Sequence, residues 1–94
     1  MEKIFFVHFR IFNDDTGSFS SKGGTTVAYT EETPGNFRYA AAFCHEKDPY
    51  VKAYGRAKAA GRLKSAAHAQ TVSCRDKDEF MEILARLYDY DPVY

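Results

Sequence analysis

Apolar side chains recur at period two in two segments of the first half of this chain, with a β-branched run between them, and that pattern commits the first half to a sheet. Residues 3–12 place Phe5, Val7, Phe9 and Ile11 on one face and Ile4, Phe6, His8 and Arg10 on the other. Thr25–Glu31 is β-branched and aromatic, and Asn36–Cys44 sets Phe37, Tyr39, Ala41 and Phe43 on one face. Between these two strands, Glu32-Thr33-Pro34-Gly35 reads as a turn, because proline presets φ and glycine tolerates positive φ. The second and third strands therefore predict a hairpin. Residues 13–24 are rich in Gly, Ser, Asp and Asn and read as a loop.

The second half changes period. Asp48-Pro49 reads as a helix start running to about Ser65, through residues dominated by Ala, Lys and Arg. Residues 68–73 read as a short fourth strand. From Asp76 to about Asp89 the spacing of Phe80, Ile83, Leu84, Leu87 and Tyr88 predicts an amphipathic helix, with Asp76 and Glu79 as a capping box. The order β-β-β-α-β-α predicts a small α+β domain. Its mainly antiparallel sheet is expected to carry both helices on one face and leave the other wet.

At 94 residues the chain has room for a single domain spanning 1–94, since domains usually run to about 50–250 residues. Two cysteines, Cys44 and Cys74, cannot build a disulfide framework, and the apolar start is too short for a membrane span and lacks the small-residue cleavage site of a signal peptide. The expected setting is the cytoplasm of a host cell, away from membrane.

The net charge of zero excludes a uniformly basic binder, yet it conceals a segregation. Residues 47–64 hold Lys47, Lys52, Arg56, Lys58, Arg62 and Lys64 against Asp48. Residues 76–91 hold Asp76, Asp78, Glu79, Glu82, Asp89 and Asp91 against Lys77 and Arg86. One helix is basic and the next acidic. Such a pair is compatible with a homodimer in which the basic helix of each copy meets the acidic helix of the other.

Wound at 100° steps, the basic helix puts Tyr50, Ala53, Tyr54, Ala57, Ala60 and Gly61 on a small-residue side expected to lie on the sheet. Val51, Gly55 and Ala59 then form an outer lane, flanked by Lys58 and Arg62 on one edge and by Lys52 and Arg56 on the other. Cations so spaced can reach carboxylates or phosphates, and they equally suit a solvated surface face.

The stretch from Cys44 to Leu63 contains Gly55-Arg56, Ala59 and Gly61-Arg62-Leu63, a Gly-Arg-x-x-Ala-x-Gly-Arg-Leu pattern following a Cys and an Asp. It resembles small phage and prophage proteins, as does the glycine-led strand Gly23-Gly24-Thr25-Thr26-Val27-Ala28-Tyr29. The resemblance covers residues 22–64. It implies a setting among accessory genes of mobile elements, where anti-CRISPR and anti-restriction inhibitors are common, and it carries over no active site.

No arrangement of residues announces catalysis. Cys44 and His45 are neighbours on a strand and point to opposite faces. Pairing of Cys44 with His8 or His68 has no support beyond residue type. Cys44, His45, His68 and Cys74 lack the short ligand pairs of a zinc site. Lys22-Gly23-Gly24-Thr25 lacks the phosphate-loop order and precedes a strand rather than a helix. The aromatics Phe37, Tyr39 and Phe43 suit either core or base stacking, whereas Phe19, alone in a polar loop, suits an exposed contact.

The sequence thus leads to a non-enzyme, without cofactor, metal or catalytic residues. It is expected to be a phage or mobile-element protein inhibiting a bacterial defence protein or nucleoprotein complex, with Lys52, Arg56, Lys58, Arg62 and Phe19 at the contact. The alternative is a nucleic-acid-binding module that lays helix 49–65 along a phosphate backbone.

Overall fold

The computed structural model describes residues 3–10, 12–13, 15–19, 22–49, 51–88 and 91–93, except for the side chains of 12, 13, 19, 22, 45–48, 88 and 91–93. In chain order the elements are β1 (Phe5–Arg10), β2 (Phe12–Asn13), β3 (Ser18–Phe19), β4 (Lys22–Thr33), β5 (Asn36–Pro49), α1 (Lys52–Leu63), β6 (Gln70–Ser73), α2 (Lys77–Tyr88) and β7 (Asp91–Val93). Five strands form one sheet in the order β6-β5-β4-β1-β7, with antiparallel neighbours throughout. This is a small α+β domain with the expected β-β-β-α-β-α order of principal elements. Two features are additional: a ribbon of β2 and β3 inside what reads as a loop, and β7 on the edge of β1.

The β4–β5 hairpin forms where Pro34 and Gly35 turn the chain. Gly35 sits at φ 80°, in the left-handed region, and its N–H donates to Glu31 Oε2 at 3.0 Å. Its carbonyl accepts from the Cys74 N–H at 2.8 Å, which fastens β6 to the same hairpin.

Alternation along the strands produces two apolar faces. Val7, Phe9, Val27, Tyr29 and Phe37 point one way and enclose Phe80 and Leu84 of α2. The rings of Phe37 and Phe80 stack at 4.3 Å between centroids, with 6° between their planes. Ala28, Ala40 and Ala42 point the other way and take Ala59 and Leu63 of α1, with Ile4 and Phe6 alongside. Val27 and Ala28 are consecutive, so these clusters lie on opposite sides of the sheet. The helices therefore cover one face each, and neither face is left wet, which corrects the one-face arrangement expected from the sequence. The reason is visible in β1: Ile4 and Phe6 are as apolar as Phe5 and Val7, and both rows require cover.

The helix starts also differ. α2 begins as expected, with Asp76 Oδ1 accepting the Glu79 N–H at 2.9 Å and Glu79 Oε1 accepting the Arg75 N–H at 3.1 Å. The backbone bond from Glu79 holds the Asp76 carboxyl below the usual carboxylate range. Pro49, read as the first helical residue, instead ends β5 opposite Lys22. The residue before a proline favours extended backbone, which keeps this segment in the strand. The start of α1 falls to extended Val51, which supplies no side-chain cap.

Candidate functional site

Helix α1 lies across β4 and β5, and its inner line is Gly55, Ala59 and Leu63. A Cβ on Gly55 would overlap the Oγ1 of Thr26, so only glycine lets the helix backbone settle this close. Ala59 and Leu63 are fully buried beyond it. The helix is thus turned about half a revolution from the expected placement. The lane of Gly55 and Ala59 faces inward, while Ala53, Tyr54, Ala57 and Gly61 face solvent. Leu63 carries the signal that could have fixed this rotation. It is the one large aliphatic residue of the helix, and Ala59 and Gly55 precede it at four-residue steps.

Rotation redistributes the expected contact residues. Lys52 and Arg56 are exposed on the flank nearer β1. There the imidazole of His8, 6% exposed, bonds through Nδ1 to Thr26 Oγ1 at 3.0 Å. Burial, and then the charges of Lys52, Arg56 and Arg10, hold the His8 pKa down to about 4 from an ordinary 6.5. Lys58 is exposed on the opposite flank, with its ammonium 5.4 Å from the centroid of the Tyr54 ring. Between the flanks runs an outer lane of Ala53, Ala57 and Gly61, with Lys64 at its end. A small-residue lane edged by cations therefore exists, composed of other small residues than expected.

Arg62 differs from its neighbours. It is half-buried, and its Nη1 donates to the carbonyl of Ala41 at 2.9 Å. It is a fastening between α1 and β5 as well as a charge. The Phe19 contact expected from the sequence concerns a side chain that lies outside the described residues; its backbone pairs with Phe12. Phe37 is core, Tyr39 half-buried and Phe43 exposed, so the three do not form a common stacking platform.

Charges segregate across the sheet. Lys52, Arg56, Lys58 and Lys64 form no ion pair among the described residues, while acidic Asp78, Glu79 and Glu82 sit on α2 on the far side. This alters the expected homodimer. Basic and acidic helices on opposite faces of a rigid body cannot meet reciprocally in one closed pair, and such contacts run head to tail.

Cys44 Sγ contacts the Pro49 carbonyl at 3.5 Å, and His68 Nδ1 bonds Ser65 Oγ at 3.1 Å. Burial and the nearby Glu79 and Asp76 push the Cys74 thiol up, away from the thiolate form. Among the described residues no three of the His, Cys, Asp and Glu side chains gather as metal ligands, and no helix is long and apolar enough to cross a membrane.

The chain matches no protein family, no curated protein and no solved structure.

Proposed function

We propose that this chain is a non-catalytic phage or mobile-element protein that docks the outer surface of α1 on an acidic patch of a bacterial defence complex and thereby inhibits it. The observation that carries the reading is the surface itself. Lys52 and Arg56 stand on one flank of an exposed small-residue lane, Tyr54 and Lys58 on the other, and the cations have no ion-pair partner among the described residues. Small residues let a flat partner approach closely, and the flanking charges steer encounter and fix orientation. Exposed Tyr54 adds the amphipathic ring that interfaces favour. The likeness of residues 22–64 to small phage proteins makes defence complexes the class of target to try.

The test expresses the chain in bacterial strains that each carry one active defence system and challenges them with phage or plasmid. Relief of defence in one strain, abolished by joint Lys52→Glu, Arg56→Glu and Lys58→Glu, is the expected result. Unchanged defence in every strain, or relief that survives the reversals, rejects the reading. A gel shift at low salt separates the alternative: retention of duplex DNA or RNA, lost with the same reversals, would put a phosphate backbone in place of the acidic protein.

A further inference from the structure

The end of α1, the turn that follows it and the start of β6 enclose a groove beside β5. Its volume is about 230 Å³, and its walls include Tyr39, Ala40, Ala41, Arg62, His68 and Gln70. Among the described residues no carboxylate lines it. An apolar cavity of about 150 Å³ admits benzene, so this volume admits one ring with a small substituent.

The walls are held in place. Arg62 is half-buried, and its Nη1 donates to the Ala41 carbonyl at 2.9 Å, which pins the guanidinium at the groove. One N–H of the fork is committed there, and Arg62 forms no ion pair among the described residues. His68 sits in a turn closed by its own N–H and that of Ala69, which donate to the Ser65 carbonyl at 3.1 and 2.9 Å. Its Nδ1 bonds Ser65 Oγ at 3.1 Å, and in the tautomer that accepts from this hydroxyl Nε2 carries the proton and donates. Gln70 pairs with Tyr39 across the two strands, so their side chains share a face. The Tyr39 ring stands edge-on to Phe80 at 5.8 Å between centroids, and burial pushes its phenol up, which keeps it neutral.

The chemistry of these walls is one-sided. Arg62 brings a permanent positive charge, and His68 and Gln70 bring N–H donors. The planar guanidinium fork matches a carboxylate in two parallel bonds. The Tyr39 ring and the methyl groups of Ala40 and Ala41 supply apolar contact. Side chains already fixed lose little freedom on binding, a loss that otherwise weakens small ligands.

We infer that this groove binds a small aromatic carboxylate, with the carboxylate on Arg62 and the ring against Tyr39 and Ala41. The site goes beyond the α1 docking surface, which uses Lys52, Arg56 and Lys58, and neither needs the other.

The test titrates the full ¹⁵N-labelled chain with benzoate, with benzamide as its neutral counterpart and with inorganic phosphate. Benzoate should give saturable shifts at Tyr39–Ala41, Arg62, His68 and Gln70, with a Kd of about 1 mM. Benzamide should bind about tenfold more weakly. Gln70→Glu, at an exposed site, should weaken benzoate about tenfold by setting a carboxylate against the bound one. Arg62→Gln should do the same, and where loss of the Ala41 bond unfolds the chain, Gln70→Glu decides alone. Absence of saturable shifts, equal binding of benzoate and benzamide, or unchanged affinity in Gln70→Glu overturns the inference. Phosphate binding as tight as benzoate binding also overturns it, because the apolar walls would then add nothing. Shifts confined to Lys52, Arg56 and Lys58 overturn it while leaving the docking surface of α1 intact.

Discussion

Gly55 rests its backbone directly on the side chain of Thr26, and the same Thr26 hydroxyl holds the buried imidazole of His8. Helix α1, the sheet and one titratable group meet at this point. A glycine inside a helix costs about 1 kcal/mol against alanine. Here close approach offsets that cost, because it seats Ala59 and Leu63 on Ala28, Ala40 and Ala42.

The two glycines of α1 should respond oppositely to alanine. Gly55→Ala forces a methyl into Thr26 and should lower stability by about 1–3 kcal/mol, despite better helix propensity. At Gly61 a Cβ meets nothing within 4 Å, and Gly61→Ala should raise stability by about 0.5–1 kcal/mol. Urea denaturation of both variants checks the pair. Equal effects would mean that α1 does not sit this close to β4.

Acid should weaken the fold through His8. Its pKa is about 4 in the folded chain against an ordinary 6.5, chiefly through burial and then through Lys52, Arg56 and Arg10. Between those values the unfolded chain binds more protons than the folded one. The contribution is therefore complete above about pH 6.5 and is lost as pH falls toward 4. The loss should be about 3 kcal/mol across that window. His8→Gln should flatten this part of the stability profile, and Lys52→Glu with Arg56→Glu should narrow the window and shrink the loss, by raising the folded-state His8 pKa toward 6.5.

The parts of this fold that are legible in the sequence are those with a strong period. The stripe of Phe80, Leu84 and their neighbours, with its Asp76 and Glu79 cap, reads directly, as do β1 and the β4–β5 hairpin. The rotation of α1 is harder to read, because an Ala-rich helix has little apolar contrast and Leu63 alone outweighs the two tyrosines at its start. The faces taken by the helices depend on both rows of β1 being apolar, a feature that also suits a strand with one wet side. Strands as short as β2 and β3 carry no period at all. Among the site residues, Lys52, Arg56 and Lys58 are exposed cations, as their spacing implies. The bond from Arg62 to Ala41 belongs to tertiary structure and leaves no mark in local pattern.

Placement of the charged helices on opposite faces constrains any electrostatic association between copies. Where copies attract at low ionic strength, contacts between α1 and α2 add head to tail, so mass should keep rising with concentration instead of stopping at a dimer. Sedimentation at about 20 mM and about 300 mM salt checks this, with association abolished at the higher value because exposed charges are screened there. A salt-insensitive dimer would show that an apolar surface joins the copies.

Arg62 and Lys58 lie one turn apart on the same flank yet should part company under mutation. Lys58 is exposed, and its contact with the Tyr54 ring is solvated, so Lys58→Ala should change stability by no more than about 0.5 kcal/mol. Arg62 is half-buried and bonds a carbonyl at the strand edge, so Arg62→Ala should cost about 1–2 kcal/mol. Arg62→Lys should recover only part of this, because an ammonium lacks the planar fork that reaches Ala41. Amide exchange adds a spatial check. Arg62→Ala should speed exchange along Ala40–Cys44 while leaving the α2 side of the core protected, since the lost bond is local to that edge. Equal stability of the two alanine variants would mean that Arg62 is only a surface charge, and the edge of β5 would then need another explanation for its order.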